Sequence, residues 1–481
     1  MQPSIDLHAF APEIALSVTI LVVLITDTFL AKERKWWAMP ISFAGLLVSF
    51  GLLMTLAGQS RSTFGGTFVV NGFSIPIKGF FLLAGMMVLL LSLRYFRDGV
   101  YYQGEYYFLL LCSLLGCLIM PSARDLITLF IAVELVSAPA FLMAAFSKGD
   151  LKSNEAGLKF FIFGVLSSAV MLYGMSLVYG LSHSTTLSGI AEGLSGAMGE
   201  QPVTLVAILM VVAGFGFKVS AVPFHFWAPD TYEGAPVPVA AFLSVASKAA
   251  GFVGLWLLMG IAFIHQAASW APIFAVLCVL TMTIGNLVAL QQTQIVRLLA
   301  YSSIAQAGYI LLPFALIVDG DTTMNATALA ASLTYIFIYA VMNFGLFAVV
   351  IGMHRESPNG LITDYAGLAK RAPALGIAMI AFLVSLGGIP PTGGFWAKFF
   401  VFKAAIDRGG IGTWLAAIMV VNSVIGIFYY LAVAKQVAFR EGDERRIKVP
   451  ASIGFAVMVG AGLILAISVY PDLIAKFFSS G

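Results

Sequence analysis

Apolar runs long enough to cross a lipid bilayer follow one another along almost the whole of the 481-residue chain. A membrane-spanning helix needs about 20 consecutive apolar residues. The predicted spans are 11–31, 38–58, 73–93, 106–123, 125–147, 157–181, 203–227, 236–262, 270–291, 295–316, 325–353, 372–406, 412–438 and 450–471. Only 10% of the residues are charged, compared with about 25% in soluble domains. The sequence therefore predicts an all-α polytopic membrane protein of about 14 transmembrane helices, folded as one unit.

Two of the predicted spans are irregular. The seventh is interrupted near Pro223, and the twelfth carries GGIPPTGG at 387–394 and is too long for one straight helix. Lys218 and Lys398 each lie next to one of these breaks, five spans apart. Because five is odd, a second copy of a five-span unit must enter the membrane from the opposite side, which is a transporter architecture. We therefore expect two inverted repeats, formed by spans 4–8 and 9–13.

These expectations divide the chain into four units. The units are 1–105 (spans 1–3), 106–262 (first repeat), 270–438 (second repeat) and 450–481 (last span).

The distribution of basic residues predicts the orientation. In membrane proteins, cytoplasmic loops carry an excess of lysine and arginine. If the N-terminus of this chain lies outside, most of its loop lysines and arginines fall on the cytoplasmic side. The outer side then keeps only Arg61, Arg124, Lys403, Arg408 and Lys476. Both termini are thus predicted on the outer side. The first apolar run has no basic segment before it and no small-residue cleavage site after it, so we expect a retained helix.

Ionisable side chains within predicted spans are the candidate functional residues, because such groups are costly in hydrocarbon. Glu134 lies near the middle of the fifth span, and Lys218 lies about fifteen residues into the seventh. An isolated buried ammonium would lose its proton, whereas a nearby carboxylate favours the charged form. We expect Glu134 to be that carboxylate, since no other acidic residue is evident deep in spans 1–8. The alternative is a static ion pair.

Three further groups complete the candidate set. Lys248, flanked by Ser244 and Ser247, has no deep acid of its own and is interpreted as a proton relay. His225 follows Lys218 by seven residues and could bridge it to Lys248 or to the cytoplasmic side; a structural histidine is the alternative. Lys398 would be the equivalent site in the second half, unless it only extends past the end of a short helix.

Other polar residues are given simpler roles. Lys78 can extend to the membrane surface, Asp230 and Glu233 are interpreted as surface or capping residues, and Arg297 as a surface anchor. The three cysteines fall in apolar runs and are interpreted as packed thiols. The sequence has no GxGxxG after a strand, no P-loop and no cysteine cluster. We expect no cofactor or metal in this chain and no nucleic-acid partner, so an ion gradient or a partner must drive proton movement.

Four segments carry a resemblance to a known family. They are PEIALSVTILVVLITD (12–27), PFHFWAPDTYEGAPVPVAAFLSVASKAAGF (223–252), VRLLAYSSIAQAGY (296–309) and SLGGIPPTGGFWAKF (385–399). With these motifs the chain resembles the antiporter-like membrane subunits of respiratory complex I, the bacterial NADH–quinone oxidoreductase, over essentially its whole length. The chain stops after span 14, whereas the largest members continue into a lateral helix.

The resemblance implies a function for the candidate residues. Glu134, Lys218, Lys248 and Lys398 match the family's central row of proton carriers, and His225 matches its linking histidine. The complex passes electrons from NADH through FMN and iron–sulfur clusters to a quinone, and these cofactors belong to other subunits. The implied partners are neighbouring antiporter-like and small membrane subunits within the bacterial inner membrane.

Two other functions stay open on the sequence. A subunit of a cation/proton antiporter or of a membrane-bound hydrogenase-type complex would have the same fold with a different driver. A scaffold, in which the buried charges only hold helices together, is the third hypothesis.

Overall fold

The computed structural model describes residues 5–97, 103–442 and 445–471. Nineteen α-helices follow one another in these ranges. They are α1 Ala11–Phe29, α2 Ala38–Met54, α3 Ser74–Arg97, α4 Gln103–Ile119, α5 Leu126–Ala144, α6 Leu151–Ser182, α7 Leu187–Gly193, α8 Pro202–Val219, α9 Trp227–Gly234, α10 Val237–Phe242, α11 Lys248–Leu257, α12 Ala267–Ala289, α13 Ile295–Leu311, α14 Thr322–Met353, α15 Leu368–Arg371, α16 Pro373–Gly387, α17 Gly393–Arg408, α18 Ile411–Phe439 and α19 Ala451–Val469.

The helical architecture confirms the prediction of a polytopic all-α membrane protein. Within the described ranges, thirteen helices are long and apolar enough to cross a membrane. The one other predicted span, the twelfth (372–406), is formed by α16 and α17, which are too short individually. The division into inverted repeats and the sidedness of the loops stay predictions, and Lys476 lies outside the described residues.

The seventh span breaks near the predicted position. Helix α8 ends at Val219, and Ser220 takes a left-handed backbone conformation with φ of 59°. Helical structure resumes at Trp227, whose indole N–H donates to the carbonyl of Phe217 at 3.0 Å. The freed backbone groups at the break therefore find partners within the protein, as membrane depth requires.

The twelfth span breaks in a similar way. Helix α16 ends at Gly387, and Gly388 has a φ of 79°, a conformation that glycine adopts at little cost. Helix α17 begins at Gly393, and the backbone N–H of Gly394 donates to the hydroxyl of Ser385 at 2.9 Å. Both breaks predicted from proline and glycine are confirmed.

The eighth span carries an irregularity that the sequence did not predict. Two π-helical segments, Leu243–Ser247 and Leu258–Ala262, flank α11. Lys248 is the first residue after the first of them. Such π-segments are rare and often lie at functional sites.

A small antiparallel sheet was also not predicted. Strands β1 (Arg61–Thr63) and β2 (Phe68–Val70) pair with Arg61 opposite Val70 and Thr63 opposite Phe68. The sheet lies between α2 and α3, at one end of the helices.

The centre of the molecule contains the eighth, tenth and eleventh spans. The share of buried residues is 89% in Val237–Ala262 and in Ile295–Leu316, and 83% in Thr322–Met353. In contrast, Leu151–Ser182 is only 28% buried and Ile411–Phe439 only 39%. Helices α6 and α18 therefore lie at the periphery, and Lys248 lies in the interior.

Candidate functional site: a row of buried lysines

Lys218 lies in the last turn of α8 and is 4% exposed. Its ammonium donates to the hydroxyl of Ser137 on α5 at 2.8 Å. The side chain lies along Gly251 of α11, where an added Cβ would be 2.9 Å from the Lys218 Cγ. A glycine at this position thus gives the lysine stem room between α8 and α11.

Glu134 does not form an ion pair with Lys218 in this structure. It is half-buried on α5, where it accepts a hydrogen bond from Ser168 of α6. Ser137, the partner of Lys218, lies three residues further along the same helix, which is about one turn. The Glu134 carboxylate and the Lys218 ammonium are therefore near neighbours, but each bonds to a different serine. The alternative of a static ion pair is not supported by this geometry.

Lys248 is 2% exposed and bonds across to the tenth span. Its ammonium donates to both the hydroxyl and the carbonyl of Ser303 on α13, the latter at 3.1 Å. The flanking Ser244 instead accepts a hydrogen bond from the amide of Asn343 on α14 at 2.7 Å. The sequence singled out Ser244 and Ser247, but the partner of Lys248 is Ser303.

Lys398 is 7% exposed, so it does not extend past the end of a short helix. From the second turn of α17 its ammonium reaches back and donates to the carbonyl of Gly387 at 2.9 Å. It also lies 5.0 Å from the ring centroid of Tyr309, within the range of a cation–π interaction. The break in the span supplies the acceptor, because α16 ends at Gly387.

A polar network in the second half connects the surroundings of Lys248 and Lys398. Ser302, adjacent to the Lys248 partner Ser303, shares a hydrogen bond with the hydroxyl of Tyr430. Gln306 donates to that hydroxyl at 3.1 Å and to the carbonyl of Leu386 at 3.3 Å. Leu386 precedes Gly387, the acceptor for Lys398. Hydrogen-bonding groups therefore extend between the two lysines.

This network was not predicted from the sequence, although a signal was present. Ser302, Gln306 and Tyr309 follow one another at intervals of four and three residues, so they lie on one face of α13. Three polar side chains on one face of an otherwise apolar span indicate a polar contact inside the protein.

His225 lies in the break between α8 and α9 and is 6% exposed. Its Nδ1 is buried without a hydrogen-bond partner among the described residues, and its ring lies 4.5 Å from that of Phe226. In the described part of the chain, no hydrogen bond joins it to Lys218 or Lys248. The bridging role assigned to His225 stays a prediction.

The charged residues of α9 do more than cap a helix. Arg297 at the start of α13 donates from one nitrogen to Asp230 and to Glu233, both at 2.8 Å. Lys159 of α6 is 2.7 Å from the other Asp230 oxygen. Burial alone raises the pKa of Asp230, but the hydrogen bonds from Lys159 and Arg297 outweigh it and hold this pKa below its usual range. These ion pairs fasten α9 to α6 and α13.

A polar cavity of about 340 Å³ lies beside this cluster. Its lining includes Asp150, Lys152, Glu233 and His354. Asp150 immediately precedes α6, and Lys152 lies in its first turn. This end of α6 is predicted to be on the cytoplasmic side.

The expectation that Lys78 extends to the membrane surface is wrong. Its ammonium lies 2.8 Å from a carboxylate oxygen of Glu13, and both side chains are fully buried. Strand β2 places the ring of Phe68 over the ammonium, with 4.5 Å between the ammonium and the ring centroid. The expectation that Glu134 is the only deep acid in spans 1–8 is also wrong, because Glu13 on α1 is fully buried.

Comparison with known proteins identifies the family. Residues 123–426 match the family described as NADH:quinone oxidoreductase/Mrp antiporter, TM. The chain belongs to this family. The matched residues include Lys218, Lys248 and Lys398. They also include Ser302 and Gln306 of the polar network, whereas Tyr430 lies just beyond the match.

Relatives in the family match nearly the whole chain. The NADH-quinone oxidoreductase subunit N of Trichlorobacter lovleyi is 38% identical over 98% of this chain and 96% of its own length. The F(420)H(2) dehydrogenase subunit N of Methanosarcina mazei is also 38% identical, over 97% of this chain and 96% of its own length.

A solved structure shows the same fold. A chain of respiratory complex I from Thermus thermophilus with bound aureothin superposes with a TM-score of 0.80 at 28% identity. The superposition covers 97% of this chain and 98% of that chain. The fold is thus that of an antiporter-like membrane subunit from end to end.

Proposed function

We propose that the chain is a proton-translocating membrane subunit of an NADH–quinone oxidoreductase in the bacterial inner membrane, with both termini on the outer side. NADH, FMN, iron–sulfur clusters and quinone belong to partner subunits, and other membrane-arm subunits are its neighbours. The observation that carries the proposal is the row of three buried lysines, each held by a neutral oxygen, in a chain similar over its whole length to subunit N relatives. Electron transfer in the partners would drive the protons.

In the proposed sequence of transfers, Lys218 takes a proton from the cytoplasmic side and Glu134 modulates its charge. The polar cavity lined by Glu233 and His354 supports uptake at that side. The proton passes to Lys248, with His225 as the linking group. Lys398 is then the last carrier before release on the outer side.

The polar network supports the transfer between Lys248 and Lys398. A hydroxyl donates and accepts at the same oxygen, so Ser302 and Tyr430 can pass a proton onward where ammonium groups are too far apart to touch. Gln306 does not carry the proton; its amide holds the Tyr430 hydroxyl in position.

The test replaces the proposed carriers one at a time in the assembled complex. Lys218→Ala, Glu134→Ala and Lys398→Ala should lower the number of protons pumped per electron pair, while the complex assembles normally. Lys148→Ala is the matched control, since the Lys148 side chain is 72% exposed and does not line the polar cavity. Pumping is measured by the quench of a pH-sensitive dye in sealed vesicles, and assembly by native electrophoresis.

Two outcomes contradict the proposal. Normal pumping in all three variants would rule out the lysine row as the proton path. Loss of assembly rather than of pumping would favour the scaffold hypothesis, in which the charges only hold helices together.

A second candidate is the same role in a complex with a different electron donor. The F(420)H(2) dehydrogenase relative is as similar to the chain as the NADH-quinone oxidoreductase relative. The family also includes Mrp antiporters. The subunits that co-purify with the chain decide among them: NADH-oxidising subunits support the first proposal, another dehydrogenase the second, and small membrane proteins alone an antiporter.

A further inference from the structure

A cavity of about 290 Å³ lies away from the lysine row, at the end of the molecule where α3, α5 and α14 begin. Its lining comes from the residues just before α3 and α5, the end of the eighth span and the start of the eleventh. Because its polar lining residues lie at the ends of spans, this part of the cavity is at the level of the membrane surface. The predicted orientation makes this the outer surface.

Arg124, just before α5, is the charged residue in this cavity. One guanidinium nitrogen donates to the carbonyls of Pro121 and Ala123, at 3.1 and 2.8 Å. Among the described residues no carboxylate forms an ion pair with it, whereas Arg61 on the same side is 2.7 Å from Asp6. Burial lowers the pKa of Arg124 to about 10, which leaves the guanidinium charged at neutral pH. A half-buried guanidinium at a membrane surface, without a carboxylate partner among the described residues, indicates an anionic ligand.

A second donor lies at the same level. The side-chain oxygen of Asn71 accepts from the backbone N–H groups of Phe73 and Ser74 at 3.2 and 3.1 Å. Its NH₂ group has no partner among the described residues. In contrast, the oxygen and the NH₂ group of Asn325 each form a hydrogen bond with the backbone of Val318. Arg124 and Asn71 together provide several N–H donors to one ligand.

The remaining wall of the cavity is apolar and extends into the span region. Trp256, Ile261 and Leu329 line it. Leu329 lies seven residues into α14, or about 10 Å along the helix axis. The Trp256 indole is fixed by a hydrogen bond to Ser332 at 3.1 Å. Polar donors at the membrane surface and an apolar wall below them fit an amphiphile whose anionic group lies at the surface.

We propose that this cavity, the Arg124 cavity, binds the phosphate of an anionic phospholipid at Arg124 and Asn71, with one acyl chain along Trp256 and Leu329. On the cytoplasmic side of other membrane proteins, basic pockets between transmembrane helices bind anionic headgroups, and the same charge complementarity applies at the outer surface. The proposal concerns a lipid and does not depend on proton translocation.

The experiment titrates the purified full-length chain in detergent with phosphatidylglycerol and counts bound lipid by native mass spectrometry. Two variants change different parts of the site. Arg124→Gln removes the charge, and Leu329→Trp fills the space beside the apolar wall. Arg61→Gln is the matched control, because Arg61 lies on the same side of the membrane but already forms an ion pair with Asp6. Thermal unfolding of each variant checks that it is folded.

Arg124→Gln and Leu329→Trp should each weaken phosphatidylglycerol binding about tenfold or more, the factor expected from a lost charge-assisted hydrogen bond or a blocked acyl site. Arg61→Gln and Arg124→Lys should retain most of it. Three results would overturn the proposal: equal loss with Arg61→Gln, equal binding of phosphatidylcholine, or full displacement by inorganic phosphate, which would indicate a site for the free anion.

Discussion

The partners of the buried lysines distinguish two kinds of charge in this molecule. Lys218, Lys248 and Lys398 each donate to hydroxyl or carbonyl oxygens, and among the described residues none has a carboxylate at ion-pair distance. Lys78, in contrast, lies directly against Glu13. Losing a proton from a fixed ion pair leaves a buried anion uncompensated, whereas neutral partners impose no such cost. The geometry therefore suits the three row lysines to exchange protons and Lys78 to hold helices together.

The Glu13–Lys78 pair gives a stability prediction. Lys78→Met should lower the free energy of unfolding by about 3–5 kcal/mol, because it leaves the Glu13 carboxylate buried without a cation. The double variant Glu13→Gln/Lys78→Met should recover most of that loss. Thermal or denaturant unfolding of the purified chain in detergent measures both.

Lys152→Met controls for the removal of a lysine as such. The Lys152–Glu233 pair is largely exposed and is worth about 1 kcal/mol or less. Equal losses in Lys152→Met and Lys78→Met would refute a special role for burial.

At the scale of elements, α13 connects the two halves of the candidate path. One face carries Ser302 and Gln306 toward α18, and Ser303 faces Lys248 on α11. The start of the same helix carries Arg297, which holds α9. A single helix thus positions both the connection between two lysines and the segment beside the polar cavity.

The α13–α18 connection can be tested with two buried tyrosines. Tyr430→Phe removes the hydroxyl shared by Ser302 and Gln306, and should lower the proton-pumping rate several-fold while electron transfer and assembly persist. Tyr106→Phe is the matched control, because the buried Tyr106 hydroxyl shares its hydrogen bond with Ser92 and not with the connection. Pumping in sealed vesicles is the measurement. If both variants pump alike, the hydroxyl of Tyr430 is not part of the path.

The attachment of α9 should depend on pH. The folded pKa of Asp230 lies below its ordinary value of 3.8, so its contribution to stability is present above about pH 4 and is lost as pH falls further. Asp230→Asn should cost about 1 kcal/mol at pH 7, since the pair is partly exposed, and less at pH 3. Unfolding at both pH values measures the difference. Glu155→Gln, with a more exposed carboxylate, is the control, and a pH-independent cost for Asp230→Asn would contradict this account.

The elements show what sequence can and cannot predict here. Proline and glycine at Pro223 and in GGIPPTGG predicted both broken spans, because their backbone chemistry acts locally. The partners Ser137, Ser303 and Gly387 could not be predicted, because a lysine can satisfy its ammonium with any nearby oxygen and packing decides which. Lys78 was misjudged because its closeness to a helix end suggested solvent, whereas β2 covers that end. Local backbone chemistry thus determined the breaks, and long-range packing determined the lysine partners and the burial of Lys78.

At the scale of the whole molecule, the same fold serves relatives with different electron donors. The chain is 38% identical to subunits named for NADH–quinone and for F(420)H(2) oxidation, at similar coverage. Its central spans are mostly buried within the chain, while α6 and α18 expose apolar side chains such as Leu166 and Phe428. The candidate proton path is internal, and these outer faces are available for lipid or neighbouring subunits.

The predicted orientation of the whole molecule is directly testable. Alkaline phosphatase fused after the C-terminus should be active, because the positive-inside rule places that terminus outside. A fusion at Gly149, in the turn between α5 and α6, should be inactive, and green fluorescent protein fusions should give the reverse pattern. Activity at Gly149 with inactivity at the C-terminus would invert the assigned sidedness, and with it the direction of proton uptake.

The break at Gly387 has a consequence for solvation. In a continuous helix the carbonyls of Leu386 and Gly387 would be consumed by backbone N–H groups four residues later. Because α16 ends there, both oxygens are released and face Gln306 and the Lys398 ammonium. The backbone carbonyl of Gly387 here takes the place of a water molecule around the ammonium. A continuous helix would remove that oxygen from the lysine, so the discontinuity itself makes a cation tolerable at that depth.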